Sequence, residues 1–238
     1  PFSDERTGHY LADLGSLLLL LRPPPAKILD LGCGTGWTSR FLAKAGYTVV
    51  GVDIAPEAIR AANEAITAEE GNRVTFLVGD YEHPPAQGIF DYVLFYDALH
   101  HAEDEKAALT CAYHALKPEG AVFAFEPGKG HHRSETSVRA VKEFGVHEKE
   151  MPPRYLKTLA RQIGFRSTIS LPTPHQLCQT VYRRNFLSLA GSPTKLWLEK
   201  IWGYFRSLHR MTRLERGALT LIFKGERQRQ PSGESRPK

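Results

Sequence analysis

Two neighbouring histidines, His100 and His101, follow the apolar run FDYVLFYDAL. Glu126, His131 and His132 follow the next apolar run, AVFAF. Imidazole titrates near neutrality, so these residues suit removal of a proton from a reacting group. Each has a plainer reading as well. Histidines at strand ends pack or shape pockets, and His131 and His132 read equally well as loop residues. The spacing of His100, His101, Glu126 and His131 is not diagnostic of a metal site, and no metal is expected.

Upstream, KILDLGCGTGWTSRFL places Gly32, Gly34 and Gly36 at alternate positions, where an apolar run stops and a helical pattern begins. Glycine there permits positive φ and lets a ligand approach the backbone. The helix that follows offers free N–H groups. The spacing G-x-G-x-G is not the dinucleotide fingerprint G-x-G-x-x-G, since Trp37 stands where a third glycine would be needed, and no Walker lysine follows. A smaller zwitterionic ligand therefore fits better than a pyrophosphate. Asp30, inside the apolar strand, is costly to bury unless hydrogen-bonded. Asp53 closes the next apolar strand, either as a helix N-cap or as a ligand anchor. Cys33 reads as a small buried residue rather than a nucleophile.

The elements that must position these groups alternate regularly. KILDLG, TVVGVD, VTFLVGD, FDYVLFYDAL and AVFAFEP are apolar strands. Helical patterns at Thr38–Gly46, Pro56–Glu70 and Glu103–Leu116 lie between most of them, the last stopped by KPEG. PRYLKTLARQIGF is a further helix, RSTISL a sixth strand and ALTLIFKG a last one. Continuous apolar strands with helical connections imply a parallel sheet covered on both faces. Right-handed crossovers then give an α/β, doubly wound Rossmann-like sheet of seven strands, mostly parallel with an antiparallel last strand. Ligands in such sheets sit beyond the carboxyl ends of the strands, where the glycines and both histidine groups fall.

With 238 residues, 42% of them hydrophobic, the chain suits one domain with a buried core. A single domain is expected over 1–225. It comprises an N-terminal lid helix in 1–25, a cofactor-binding core over 26–171, a helical insertion over 172–217 and the last strand at 218–225. The Arg-, Gln- and Ser-rich tail 226–238 is expected to be disordered. Three cysteines, far apart and odd in number, suggest neither a disulfide framework nor a zinc cluster, and so a reduced, cytoplasmic setting. The run Leu17–Leu21 is too short to span a bilayer.

On these motifs the chain resembles the class I S-adenosylmethionine-dependent methyltransferases, from about Lys27 to Leu171. LDLGCGTG is similar to the family's first motif, and VVGVDIAPEAI carries Asp53 where the family has the acid that holds both ribose hydroxyls. GDY, Gly79–Tyr81, places Asp80 where an acid accepts the adenine amino group. FDYVLFYDALHH and LKPEGAVFAFEPG are similar to the later motifs. The resemblance implies S-adenosyl-L-methionine as cofactor, held by Asp30, Gly32, Cys33, Gly34, Gly36, Asp53, Ile54, Asp80, Tyr81 and Tyr96, with Asp30 near the methionine amino group. It makes His100, His101, Glu126 and His131 the catalytic candidates. The segment FYDA stands where amino-group methyltransferases of nucleic-acid bases have Asn-Pro-Pro-Tyr, so a nucleic-acid partner is not expected.

The expected acceptor is a small molecule or glycan, methylated on a hydroxyl oxygen by in-line displacement, with N-methylation or a catalytically silent cofactor-binding module as alternatives. A looser likeness of the stretch 126–165 to methyltransferases found with bacterial surface-polysaccharide biosynthesis implies a sugar acceptor, conceivably lipid-linked. The segment PTKLWLEKIWGYFRSLHRMTRL sets Leu198, Ile201, Trp202, Phe205 and Leu208 on one helical stripe among lysines and arginines. It reads as a helix packed on its own domain or on a second subunit, as in a dimer, or as a peripheral membrane contact through 193–213.

Overall fold

The computed structural model describes residues 5–83, 86–175 and 217–225, together with Thr194, Trp197, Leu198, residues 201–203 and Phe205. The tail 226–238 and most of the expected insertion lie outside the described residues. Thr194, Trp197, Leu198, residues 201–203 and Phe205 of the insertion are helical, with Trp197, Leu198, Trp202 and Phe205 exposed.

Seven strands form one sheet in the order β3-β2-β1-β4-β5-β7-β6. They are β1 (Lys27–Leu31), β2 (Thr48–Asp53), β3 (Val74–Val78), β4 (Phe90–Tyr96), β5 (Leu116–Pro127), β6 (Ser167–Pro172) and β7 (Gly217–Phe223). Every pairing is parallel except those of β7, which runs antiparallel to both β5 and β6. The helices are α1 (Thr7–Leu20), α2 (Trp37–Lys44), α3 (Pro56–Glu64), α4 (Glu105–Ala115), α5 (Glu135–Phe144) and α6 (Pro153–Ile163). This is the doubly wound, Rossmann-like α/β arrangement expected from the alternation of elements.

Strand periodicity divides the core into two layers. On one face Ile28, Tyr92, Leu94, Phe123 and Phe125 pack with Leu14 and Leu17 of α1 and Leu42 of α2. On the other, Leu29, Leu31, Val93, Phe95, Val122 and Ala124 pack with Leu109 of α4 and Leu156 of α6. Burying these side chains stabilises the sheet by about 1.5–3 kcal/mol each. The strand order reverses between β1 and β4, which opens a crevice at their carboxyl ends.

Some boundaries differ from the sequence pattern. α3 ends at Glu64 rather than running on to Glu70, because Glu70 folds back. Its buried carboxylate accepts from the Thr67 amide and hydroxyl, and from Arg40 Nε at 2.9 Å. β5 begins at Leu116, before the KPEG turn. Leu116 already pairs with Phe90, and the register then shifts so that Tyr92 meets Ala121. α5 escaped the periodicity reading because Val138, Val141 and Phe144 are exposed rather than packed on the core. Ser134 accepts from the Ser137 N–H at its start, and Gly145, at φ 68°, ends it.

Candidate functional site

β1 ends in the glycine loop, and the loop is bound to β2. Gly32 and Cys33 N–H groups donate to the Val52 carbonyl, and Gly34 N–H donates to Asp53 Oδ2 at 2.8 Å. Asp53 Oδ1 accepts from Ala55 N–H at 3.0 Å, at the start of α3. Each carboxylate oxygen thus keeps acceptor capacity on the crevice side. Gly36, at φ 76°, has no room for a side chain, since a Cβ would lie 2.3 Å from the Phe76 ring. Gly34, at φ 52°, faces open space, where a Cβ would meet nothing within 4 Å. The first glycine serves packing, and the second leaves the backbone bare.

Asp30 lies below this loop, 1% exposed. Its Oδ2 accepts from Thr38 Oγ1 at 2.5 Å and Ser39 Oγ at 2.6 Å, while Oδ1 is buried with no partner among the described residues. Burial pushes its pKa up to about 6, against the two hydroxyl donors that lower it. A buried, half-satisfied carboxylate is a reason to expect a ligand donor. Cys33 is buried and burial raises its thiol pKa, so it is a packing group rather than a nucleophile.

Ile54, two-thirds exposed, presents an apolar surface beside Asp53. Asp80 accepts from the Glu82 and His83 N–H groups and pairs with His83 Nδ1 at 2.9 Å. Burial works to raise its pKa, but these partners leave it lowered, so it stays ionised. The Tyr81 ring stacks edge-on to Phe95, and its hydroxyl would lie 3.0 Å from a Cβ built on Gly32, under the glycine loop.

On the other side of the crevice a cavity of about 430 Å³ opens between α1, the ends of β4 and β5, and α5. Glu126, at the end of β5, is buried and accepts four hydrogen bonds. Its donors are the Ala98, Leu99 and His100 N–H groups and His100 Nδ1, the last at 2.8 Å. With its acceptor sites so used, it positions the turn Leu99–His101 at the cavity wall. Burial lowers the His100 pKa, but its hydrogen bond to Glu126 and the charge of that carboxylate outweigh this and leave it raised. His101 stacks on His100 at 3.9 Å between ring centres, and its Nδ1 lies 2.6 Å from the His147 carbonyl. His131 meets His100 edge-on at 4.9 Å. The structure therefore brings His100, His101, Glu126 and His131 together. His132 turns away to Glu150.

Several groups in this cavity were not singled out from the sequence. Glu148 holds His131 Nε2 at 2.7 Å. Asp13 of α1, buried, accepts from the Tyr96 hydroxyl at 3.0 Å and pairs with His175 Nδ1 at 2.9 Å. Burial and Asp13 push the Tyr96 pKa up, which keeps the phenol a neutral donor. Tyr96 thus lies on the α1 side of the cavity, edge-on to Trp37. Thr173 Oγ1, buried at the cavity wall, has no partner among the described residues. A signal for Asp13 was present, because it falls among the apolar positions Tyr10, Leu14 and Leu17 of α1. Glu148 sits in the polar stretch VHEKE, which shows no pattern.

Residues 28–120 match the family model of a methyltransferase domain. The chain is 45% identical over 73 residues to a magnesium-protoporphyrin O-methyltransferase of Rhodobacter capsulatus, covering 31% of this chain and 32% of that one. It is 29% identical over 146 residues to a ubiquinone biosynthesis O-methyltransferase of Hydrogenovibrio crunogenus, covering 58% and 61% respectively. The chain thus spans from a third to three fifths of the length of these relatives. Among solved structures, a Haloferax volcanii methyltransferase complexed with the Trm112 activator superposes with a TM-score of 0.64 at 17% identity, covering 93% of this chain and 92% of that one. Haemonchus contortus phosphoethanolamine N-methyltransferase 2, in complex with S-adenosyl-L-methionine, does so at 0.60 and 23%, covering 89% and 51%. At these identities the structural likeness speaks for the fold. The matched segment makes residues 28–120 a methyltransferase domain, set within a fold shared with these structures.

Proposed function

We propose that this protein transfers a methyl group from S-adenosylmethionine to a hydroxyl oxygen of a small-molecule or glycan acceptor. The observation that carries this reading is the partnerless buried oxygen of Asp30 beneath a bare, positive-φ glycine loop tied to Asp53. These residues fit the cofactor. Asp30 offers a carboxylate oxygen to the methionine ammonium, Asp53 has acceptor capacity left for the ribose hydroxyls, and Gly34 leaves the backbone open between them. Ile54 offers an apolar face to the adenine, and Asp80, ionised, accepts from its amino group. When bound, the cofactor supplies a sulfonium methyl with a good leaving group, so that placement of the acceptor carries much of the catalysis.

A hydroxyl acceptor must lose a proton, and an amine with a free lone pair need not. The cluster of His100, His101 and His131 at the cavity floor suits that task, with Glu126 fixing the turn that bears the first two. Tyr96, Asp13 and His175 border the acceptor on the side of α1. The O-methyltransferase names of the relatives support oxygen as the acceptor atom. Exposed Trp197, Trp202 and Phe205, in a sequence dense in Lys and Arg, suit an acceptor carried on a lipid or contact with an anionic membrane surface. Among the described residues no helix is long and apolar enough to cross a membrane.

Calorimetry with S-adenosylhomocysteine and with NAD tests the first claim. The former is expected to bind and the latter not, and the reverse would overturn the reading. Transfer of labelled methyl to a panel of hydroxyl- and amine-bearing acceptors tests the second. His100→Ala should lower turnover by about 10²–10⁴-fold with S-adenosylhomocysteine affinity unchanged. Equal turnover would make His100 a packing residue.

A further inference from the structure

The acceptor cavity holds a set of groups more ordered than proton removal requires. His100, His101 and Glu148 offer ligand atoms that all lie within 4.8 Å of one another. Each is fixed by a neighbour. The His100 Nδ1–H points to the buried Glu126, which already accepts three backbone N–H bonds. His101 Nδ1 faces the His147 carbonyl, which can only accept. A neutral ring whose Nδ1 carries the proton keeps a lone pair on Nε2. His100 therefore has Nε2 ready to donate electrons towards Glu148, and the His101 ring nitrogen nearest Glu148, Nδ1, lies 3.9 Å from its Oε1. Glu148, in turn, is held by His131 Nε2.

His100 Nε2 stands 3.9 Å from Glu148 Oε2. That is too far for a hydrogen bond, and it is a separation that an ion about 2.0–2.2 Å from each atom would span. Charge points the same way. The side chains of Glu126 and Glu148 are 0% and 9% exposed, and two carboxylates so far withdrawn from water need compensation. Lys149, next in the chain, does not supply it, since its ammonium is spent on the Ala102 and Glu103 carbonyls and on Glu105. A dication would balance both acids while leaving the imidazoles neutral.

We propose that His100, His101 and Glu148 bind a divalent first-row metal ion of the zinc type, with an open coordination position facing the acceptor. Two imidazoles and a carboxylate with an open position are a ligand set of catalytic zinc, and a carboxylate behind a ligating histidine is the usual support. The inference rests on the methyl-transfer reading and deepens it. The ion would polarise the acceptor hydroxyl and so ease the loss of its proton.

The test uses the full chain without a histidine tag, stripped of metal and titrated with Co(II) under visible absorption, followed by Zn(II) competition. One equivalent of cobalt should give a d–d spectrum that zinc removes. His101→Ala and Glu148→Gln should each weaken cobalt binding tenfold or more, and Glu126→Gln by about 10–100-fold. His114→Ala, at an exposed position of α4, should not change it. S-adenosylhomocysteine calorimetry on each variant reports whether fold and cofactor site survive. Absence of a cobalt spectrum in the wild type, or unchanged affinity in both ligand variants, overturns the metal site and leaves methyl transfer standing. Failure of the metal-loaded wild type to bind S-adenosylhomocysteine overturns methyl transfer instead.

Discussion

Gly34 N–H donates to Asp53 Oδ2 at 2.8 Å, across 19 positions of sequence. This bond joins the glycine loop after β1 to the carboxyl end of β2, so one acid both shapes the loop and faces the crevice. The loop's conformation and the proposed ribose anchor are therefore a single unit.

Two of the loop's three positive-φ glycines should separate fold from binding. Gly36→Ala would drive a Cβ into Phe76 at 2.3 Å, whereas Gly34→Ala meets nothing within 4 Å. Thermal unfolding should show Gly36→Ala strongly destabilised. Gly34→Ala should lose only about 1–2 kcal/mol for its left-handed backbone, yet lose S-adenosylhomocysteine affinity at least tenfold. A Gly34→Ala protein that binds normally would remove the loop from the site.

Asp53→Ala should weaken S-adenosylhomocysteine by about 1–3 kcal/mol, the cost of leaving buried partners unpaired. Part of that loss comes through the loop, because Gly34 N–H loses its acceptor too. Adenosine, which carries the ribose but not the amino acid, should lose a similar amount. Unchanged adenosine binding would separate Asp53 from the ribose.

Asp30 gives the fold a pH dependence of definite sign. Its folded pKa, about 6, lies above the ordinary 3.8 because burial disfavours the charged form. Between those values the folded state binds the proton that the unfolded state has released, so this residue makes stability fall as pH rises from about 4 to about 6. Above pH 6 its contribution is constant, and the whole difference is about 3 kcal/mol. Asp30→Asn should abolish that slope in urea unfolding measured across the window. Cofactor binding should run the other way. An ammonium ligand favours the ionised acid, so wild-type affinity should drop below pH 6 and proton release should accompany binding near pH 6. Affinity flat from pH 5 to 7 would take Asp30 away from the ligand.

Asp13→Ala should leave the Tyr96 hydroxyl and His175 without their acceptor. The expected result is a loss of about 1–3 kcal/mol in unfolding free energy, with S-adenosylhomocysteine binding intact because Asp13 lies on the acceptor side. A parallel loss of cofactor affinity would show that α1 supports the glycine loop as well.

The sequence by itself determined the alternation of strands and helices, the bare loop at Gly32, Gly34 and Gly36, and the placement of Asp53, His100 and Glu126 at strand ends. Each of these rests on local pattern. Apolar runs, glycine spacing and a fixed two-residue strand period assign a residue to an edge or a face without knowledge of its distant neighbours. The tertiary structure alone decided that Glu126 is spent on a turn, that Asp30 has one oxygen satisfied and one free, and that Glu148 closes the histidine cluster. It alone joined Asp13 to Tyr96 across 83 positions and to His175 across 162. Contacts of that length depend on how α1, β4, β5 and the chain beyond β6 converge at one sheet edge. No periodicity within an element records that convergence, which arises from the burial of whole faces against one another.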